Sequence, residues 1–272
     1  RDPQVPTAPW VPWSIATGPL NPLARRGLPR LRRILFFSHP SSPYSLLPAV
    51  LPNTGQNSTL MCGIIGYVGK RAAGPILLEG LRRLEYRGYD SAGVALLEGG
   101  RLNLVKRQGK IDQGLEPLLA AEPHPGSCGI GHTRWATHGP PSDANSHPHC
   151  DRSGRLAIVH NGVIENYGRL RERLTAAGHA FQSATDTEVL AHLIGEKWMA
   201  VLAGTGGSAT PELLAQAVAE SLREVIGTYG LAVVCQDLPG TIIGARRGSP
   251  LLVGVGDDEN YLASDASAVV AH

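Results

Sequence analysis

The sequence predicts an α+β fold in which two β-sheets pack together with helices outside them. Three observations lead there. After residue 60, strand-length apolar segments gather at the start and the end, and helical periodicities fill the middle. Connections between the last strands are short, which favours antiparallel pairing. Gly-rich loops separate the periodic segments throughout this region.

Residues 1–60 stand apart. They hold 11 of the chain's 21 prolines, six arginines, no lysine and one acid, Asp2. Text of this kind does not sustain helix or strand. Its compact apolar run, Ile34-Leu35-Phe36-Phe37, is far too short to span a bilayer. The leader carries a net charge of +5, which leaves −3 for the rest of a chain whose total is +2. The basic balance therefore belongs to the leader and gives no support for nucleic-acid binding by the folded part. We expect residues 1–61 to lie outside the fold, as a transit peptide, a propeptide or text upstream of a start at Met61. The third reading is favoured, because a small residue after Met suits its removal. Residues 62–272 are expected to form one globular domain.

The four cysteines, Cys62, Cys128, Cys150 and Cys235, include no Cys-x-x-Cys pair, and no secretory signal is evident. The expectation is a cytoplasmic protein with reduced thiols and no membrane segment.

In chain order, Cys62 to Val68 reads as a buried strand. Pro75 suits a first helical turn, and Ile76, Leu77, Leu81 and Leu84 repeat at helical spacing towards a stop near Arg87-Gly88. Gly93 to Leu97 and Leu102 to Arg107 read as a hairpin across Glu98-Gly99-Gly100-Arg101. A short helix follows over Ile111 to Ala121, then a strand from Cys128 to Thr133. Leu156 to His160 is a strand that runs into Asn161-Gly162, by default a hairpin corner. Ile164 to Ala177 has helical periodicity. Thr185-Asp186-Thr187-Glu188 fits a capping box opening the next helix. Ala203 to Ala209 is a small-residue linker, and Thr210-Pro211 starts another helix to Ile226. Four strands close the chain: Tyr229–Cys235, Thr241–Ala245, Pro250–Val255 and Tyr261–Ala263.

Chemistry centres on Met61-Cys62-Gly63-Ile64-Ile65-Gly66. If Met61 is removed, Cys62 offers a thiol and a free α-amine on one residue. The thiolate is the nucleophile, and an amine with a pKa near 8 can take the thiol proton. Attack on an acyl group needs an oxyanion hole, which the amide of Asn161 and the backbone N–H at Gly162 could supply. Arg134 could hold a carboxylate in bidentate fashion. Asp186, in the first turn of a helix, could accept an ammonium. An arginine and an aspartate facing one another suit an α-amino acid. Leu84 to Gly93, with Tyr86, Arg87, Tyr89 and Asp90, is either a surface turn or a positioning loop. His132, His138, His147, His149 and Cys150 raise a metal site as a rival, but their spacings follow no familiar ligand pattern, and none is expected.

Together, Cys62-Gly63-Ile64-Ile65-Gly66 after a Met, LEYRGYDSAG (Leu84 to Gly93), HTRWATHG (His132 to Gly139), His160-Asn161-Gly162 and Thr185 to Glu188 resemble the class II glutamine amidotransferase domain. More narrowly they resemble that domain of the glutamine–fructose-6-phosphate aminotransferases. The resemblance covers about residues 61–272. It implies an N-terminal-nucleophile hydrolase fold, a four-layer αββα sandwich with two antiparallel sheets. It implies that Cys62 attacks the γ-amide of L-glutamine, with Asn161 and Gly162 holding the oxyanion. Arg134 and Asp186 would take the α-carboxylate and α-ammonium of glutamine. Thr137, His138 and His147 would line the pocket, and Trp135 would belong to a closing loop. It implies no cofactor. Fructose 6-phosphate would enter only through a further C-terminal half, which in the family begins about where this chain stops, and the full-length enzyme would be a homodimer. Other class II acceptors, or a non-catalytic metal or partner-binding module on the same fold, are the competing readings.

Overall fold

The computed structural model describes residues 33–38 and 62–270. The first stretch contributes β1 (Arg33–Ser38). The second opens with β2 (Gly63–Val68), α1 (Ala73–Leu84), the hairpin β3 (Ser91–Glu98) and β4 (Arg101–Gln108), α2 (Leu115–Ala121) and β5 (Cys128–Arg134). It continues with β6 (His149–Cys150), β7 (Leu156–Ile164), α3 (Tyr167–Ala176), α4 (Asp186–Gly204) and α5 (Pro211–Arg223). The last strands are β8 (Gly227–Cys235), β9 (Thr241–Arg247), β10 (Leu252–Gly256) and β11 (Glu259–Ala263).

The strands form two sheets, one ordered β1-β9-β8-β7-β6 and the other β10-β11-β2-β5-β3-β4. Apolar side chains sort into three clusters. One lies between the sheets, through Ile64, Ile130, Val159, Val234 and Ile242. A second joins the first sheet to α4 and α5, through Ile158, Leu190, Trp198, Val218 and Val233. A third joins the second sheet to α1, through Ile65, Tyr67, Leu77, Leu81 and Val94. The architecture is therefore the four-layer αββα sandwich that the resemblance implied.

Period-2 alternation decides which residues meet at the end of this sandwich. On β5, Cys128 and Ile130 face the other sheet, so His132 and Arg134 follow them on the same face. On β7, Ala157 and Val159 face it, which puts Asn161 there too. On β2, Ile64 and Val68 do so, and Cys62 falls in the same parity just before the strand. The opposite face of β5 carries Gly129 and Gly131, where a Cβ would meet Leu77 and Leu81 of α1. Their bare backbones let the helix settle close against the strand.

Several elements differ from the sequence reading. Asn161-Gly162 is not a corner. β7 runs straight through it, paired with β8 from Leu156↔Cys235 to Ile164↔Gly227. The ladder overrides the local turn preference, and Gly162 keeps its φ of +129° inside the strand. Ile164 consequently ends a strand instead of starting a helix. The expected linker from Ala203 begins inside α4, which runs to Gly204. Thr185 does cap α4, accepting from Glu188 N at 3.2 Å. The Glu188 carboxylate, however, accepts from Gln182 N and Ser183 N rather than from the N-cap, so only half of the capping box forms. The next helix starts at Pro211 as expected, and Thr210 caps it, accepting from Leu213 N.

The leader was expected to lie outside the fold, yet six of its residues form β1. Arg33–Ser38 is free of proline, and its apolar residues alternate between faces. Ile34 joins the cluster between the sheets and Leu35 the cluster under the helices. β1 pairs in parallel with β9 from Arg33↔Thr241 to Ser38↔Arg246, so the first sheet is mixed and not wholly antiparallel. The rest of the leader lies outside the described residues.

At Gly63, a Cβ would stand 2.6 Å from Thr133 Oγ1 and 2.7 Å from Leu84 Cδ1. Gly63→Ala should therefore overpack the joint between β2, β5 and α1 and destabilise the protein by about 1–3 kcal/mol. Denaturant unfolding measures this, and an unchanged midpoint would refute it.

Candidate active site

A cavity of about 280 Å³ opens where the two sheets end, and all nine residues expected to build a site line it: Cys62, Arg134, Trp135, Thr137, His138, His147, Asn161, Gly162 and Asp186. Each arrives from a different direction. Cys62 precedes β2, Arg134 ends β5 and leads into the 135–139 loop, and Asn161-Gly162 come from β7. Asp186 is the first residue of α4.

Cys62 is held by its backbone and its sulfur. Asn161 Nδ2 donates to Cys62 O at 2.9 Å, and Trp135 N donates to Cys62 Sγ at 3.1 Å. The thiol keeps some exposure, but desolvation is the largest influence on it and pushes its pKa up. The Trp135 N–H and the Arg134 charge pull the other way without winning. The sulfur is thus predominantly a thiol near neutral pH and needs a base close by to act as a nucleophile.

Arg134 is buried and incompletely used. Its Nη2 donates to His138 O and to Gly139 O at 3.0 Å. Its Nη1 is buried with no hydrogen-bond partner, and the Asp90 carboxylate stands 3.8 Å away. An unfilled buried donor is costly. Asp186 is 4% exposed. Its Oδ2 accepts from Ile164 N at 2.9 Å, and its Oδ1 lies 3.9 Å from His138 Nδ1. It sits in the first turn of α4, and its carboxylate can also receive a cation.

The loop between these groups is set by Asp90, which accepts from Ala136 N at 2.5 Å while its own N–H donates to Arg134 O at 2.7 Å. The Leu84–Gly93 stretch thus positions the loop over the cavity. Trp135 lies on that loop with 38% of its surface exposed. His147 is buried in the cavity wall, and His132 and His149 are buried beneath it. His147 and His149 are held well below the ordinary imidazole range by desolvation, and His132 is pushed down to about 3 for the same reason. All three are neutral. Among the described residues, no three His, Cys, Asp or Glu side chains are grouped to hold a metal ion. His149 opens the short strand β6, which pairs with β7.

The family described as glutamine amidotransferase domain matches residues 120–208. Glutamine–fructose-6-phosphate aminotransferases (isomerizing) of Bacteroides thetaiotaomicron and Streptomyces coelicolor are 51% and 50% identical to this chain over 213 residues. Both alignments cover 78% of this chain and 33% of the relative. Among solved structures, glutamine phosphoribosylpyrophosphate amidotransferase from B. subtilis is similar with a TM-score of 0.62 at 30% identity, over 76% of this chain and 42% of that one. The chain carries a class II glutamine amidotransferase domain. A second structure, described as the allosteric regulatory enzyme of purine biosynthesis, is similar with a TM-score of 0.63 at 32% identity, over 76% of this chain and 42% of that one. The chain spans about a third of the length of the curated relatives it matches.

The cavity also has walls made by residues outside the expected site set. His160 and Thr187 line it and contact each other at 3.1 Å, and Gly248-Ser249-Pro250 close one side. The signal for the last three was weak: a Gly-Ser-Pro run just after a strand, with Gly248 at a φ of +81°. It marks a turn without saying what the turn faces.

In the uncut chain, alkylation of Cys62 should reach half its limiting rate above pH 9.0, the ordinary thiol value. The sign follows from the raised pKa, which leaves less thiolate at any given pH than an unperturbed thiol has. Mass-spectrometric labelling across pH tests this, and half-maximal labelling near pH 7 would contradict it.

Proposed function

We propose that this domain hydrolyses the γ-amide of L-glutamine through a thioester on Cys62. The observation that carries the reading is the cavity itself, which gathers a cysteine, an oxyanion-type amide, an unfilled buried guanidinium donor and a buried carboxylate. The guanidinium of Arg134 takes the α-carboxylate of glutamine, and Asp186 takes its α-ammonium. Thr137, His138 and His147 complete the walls, and Trp135 covers the bound amino acid. The γ-carbonyl then lies towards Cys62.

The chemistry needs the Cys62 nitrogen to be a free amine, so the bond to Met61 must be severed. That amine takes the Sγ proton as sulfur bonds to the carbonyl carbon of the γ-amide. Asn161 Nδ2 and the Gly162 N–H receive the developing oxyanion. As collapse breaks the C–N bond, the ammonium of Cys62 protonates the amide nitrogen, which departs as ammonia. Water then attacks the thioester, gives up a proton to the amine, and releases glutamate as the thiol is restored. The raised thiol pKa makes the adjacent amine necessary, because little thiolate exists without it.

The acceptor of the ammonia is proposed to be fructose 6-phosphate, giving glucosamine 6-phosphate for amino-sugar biosynthesis. The support is the 51% identity to relatives of that name, against 30% to the phosphoribosylpyrophosphate enzyme. The sugar phosphate would be handled by the part of those relatives that this chain does not span, in a homodimer in the cytoplasm. No helix among the described residues is long and apolar enough to cross a membrane. The domain is taken as residues 62–272.

Cleavage of the chain between Met61 and Cys62, with the leader kept in the sample, should switch on release of ammonia from glutamine. A glutamine analogue bearing an electrophile should then label Cys62, and Cys62→Ala should abolish both signals. Cleaved protein that takes no label would overturn the reading. Arg134→Lys keeps the charge but loses the fork. It should raise KM for glutamine by at least about tenfold, equivalent to about 1.4 kcal/mol, with a smaller change in kcat. Steady-state kinetics of the cleaved protein measures the split.

A further inference from the structure

His132 lies beneath the cavity and lines none of it. It is fully buried, on the face of β5 that looks across to β7. Its Nε2 is 2.9 Å from Asn161 Oδ1 and 3.1 Å from His160 O. Both partners are acceptors, so Nε2 carries the hydrogen. His147 Nδ1, at 3.3 Å, also faces this nitrogen. Nδ1 of His132 is buried with no hydrogen-bond partner, which suits the bare lone pair of the neutral ring and would be costly for an imidazolium N–H.

A primary amide can flip by 180° about its terminal bond and exchange its donor for its acceptor. For Asn161 the flip matters, because an oxygen turned towards the oxyanion would repel the charge that the nitrogen should stabilise. Two groups fix the orientation. Cys62 O accepts from Nδ2 on one side, and the His132 N–H donates to Oδ1 on the other. The first contact alone is weak insurance, since Cys62 is the residue that reacts. The second comes from a buried ring that takes no part in the bond changes, on β5 beside β2.

We propose that His132 is a positioning residue for glutamine hydrolysis: its Nε2–H holds the Asn161 amide with nitrogen towards the Cys62 carbonyl and the oxyanion. The proposal rests on the glutaminase reading above. His132 acts through Asn161 alone, and binding of the amino-acid end belongs to Arg134 and Asp186.

The test uses the full chain cleaved at Met61–Cys62. His132→Phe keeps a ring and removes the donor, whereas His132→Gln places an amide N–H near the same point. The Phe variant should lose about 10- to 100-fold in kcat, within the loss expected for removing an oxyanion donor outright, with KM little changed. Gln should restore most of the rate. Affinity for L-glutamate, which needs no oxyanion, should be unchanged in both variants. Affinity for glutamate γ-semialdehyde, whose thiohemiacetal with Cys62 carries the oxygen in the hole, should fall with kcat in the Phe variant. In an Asn161→Ala background, His132→Phe should cost nothing further.

Equal loss of glutamate and aldehyde binding, failure of Gln to restore the rate, or a full additional cost in the Asn161→Ala background would each overturn the proposal. If His132→Phe does not fold, His132→Met takes its place. If neither folds while Gln does, His132 serves the core and the proposal is wrong. Inactivity of the cleaved unsubstituted chain would instead count against the glutaminase reading, so the two failures are distinguishable.

Discussion

The hydrogen bond from the Asn161 amide to the Cys62 carbonyl ties the two sheets together at the end where chemistry is proposed. It spans 2.9 Å between residues 99 positions apart, and it forms only because both faces look inward. The sandwich holds that alignment from behind. Ile64, Ile130, Val159 and Val234 are fully buried between the sheets, and large apolar residues there fix the spacing at which an amide on one sheet can reach a carbonyl on the other. A one-residue slip in the register of β7 would turn Asn161 towards α4, and one in β5 would turn His132 towards α1.

Burial beneath the cavity has a consequence for protonation. His132, His147 and His149 are neutral because burial penalises their charged forms. The same desolvation raises the Cys62 thiol. A buried imidazole held that low is a poor base at neutral pH, and the carboxylate of Asp186 is already bonded to Ile164 N. Of the groups around the sulfur, the backbone nitrogen of Cys62 is the one whose basicity a single bond cleavage would create. In the proposed mechanism the environment that makes the thiol hard to ionise is also what makes a freed amine the effective base.

Much of this was legible in residue order. Alternation places Cys62, His132 and Asn161 on inward faces once the strands are assigned, and the paired turn glycines Gly99 and Gly100, at φ of +55° and +79°, mark the β3–β4 hairpin. The misreadings share a cause. Asn161-Gly162 has the local chemistry of a turn, but the ladder to β8 decided its conformation, and ladder partners lie more than sixty residues away. Glu188 has the spacing of a capping box, but Gln182 N and Ser183 N reached its carboxylate first. The contribution of His132 depends on a contact between sheets, and the Ser249-Pro250 wall depends on how β9 exits. Local patterns carry neither.

The strand from the leader shows how far tertiary pairing can override composition. Arg33–Ser38 sits among proline-rich text, yet β9 would otherwise present an unpaired edge, and six consecutive residues of the right alternation fill it. Its anchorage is non-covalent: a ladder to β9, Ile34 buried between the sheets, Leu35 under the helices, and Arg33 bonded to Glu212 of α5 at 2.9 Å. Backbone pairing and apolar burial act on β1 whether or not the peptide bond before Cys62 is intact. Severing that bond, as the proposed mechanism requires, therefore removes none of the contacts that hold the strand. The sheet edge and the nucleophile make compatible demands on the same leader, because one depends on where six residues pack and the other on a single bond beyond them.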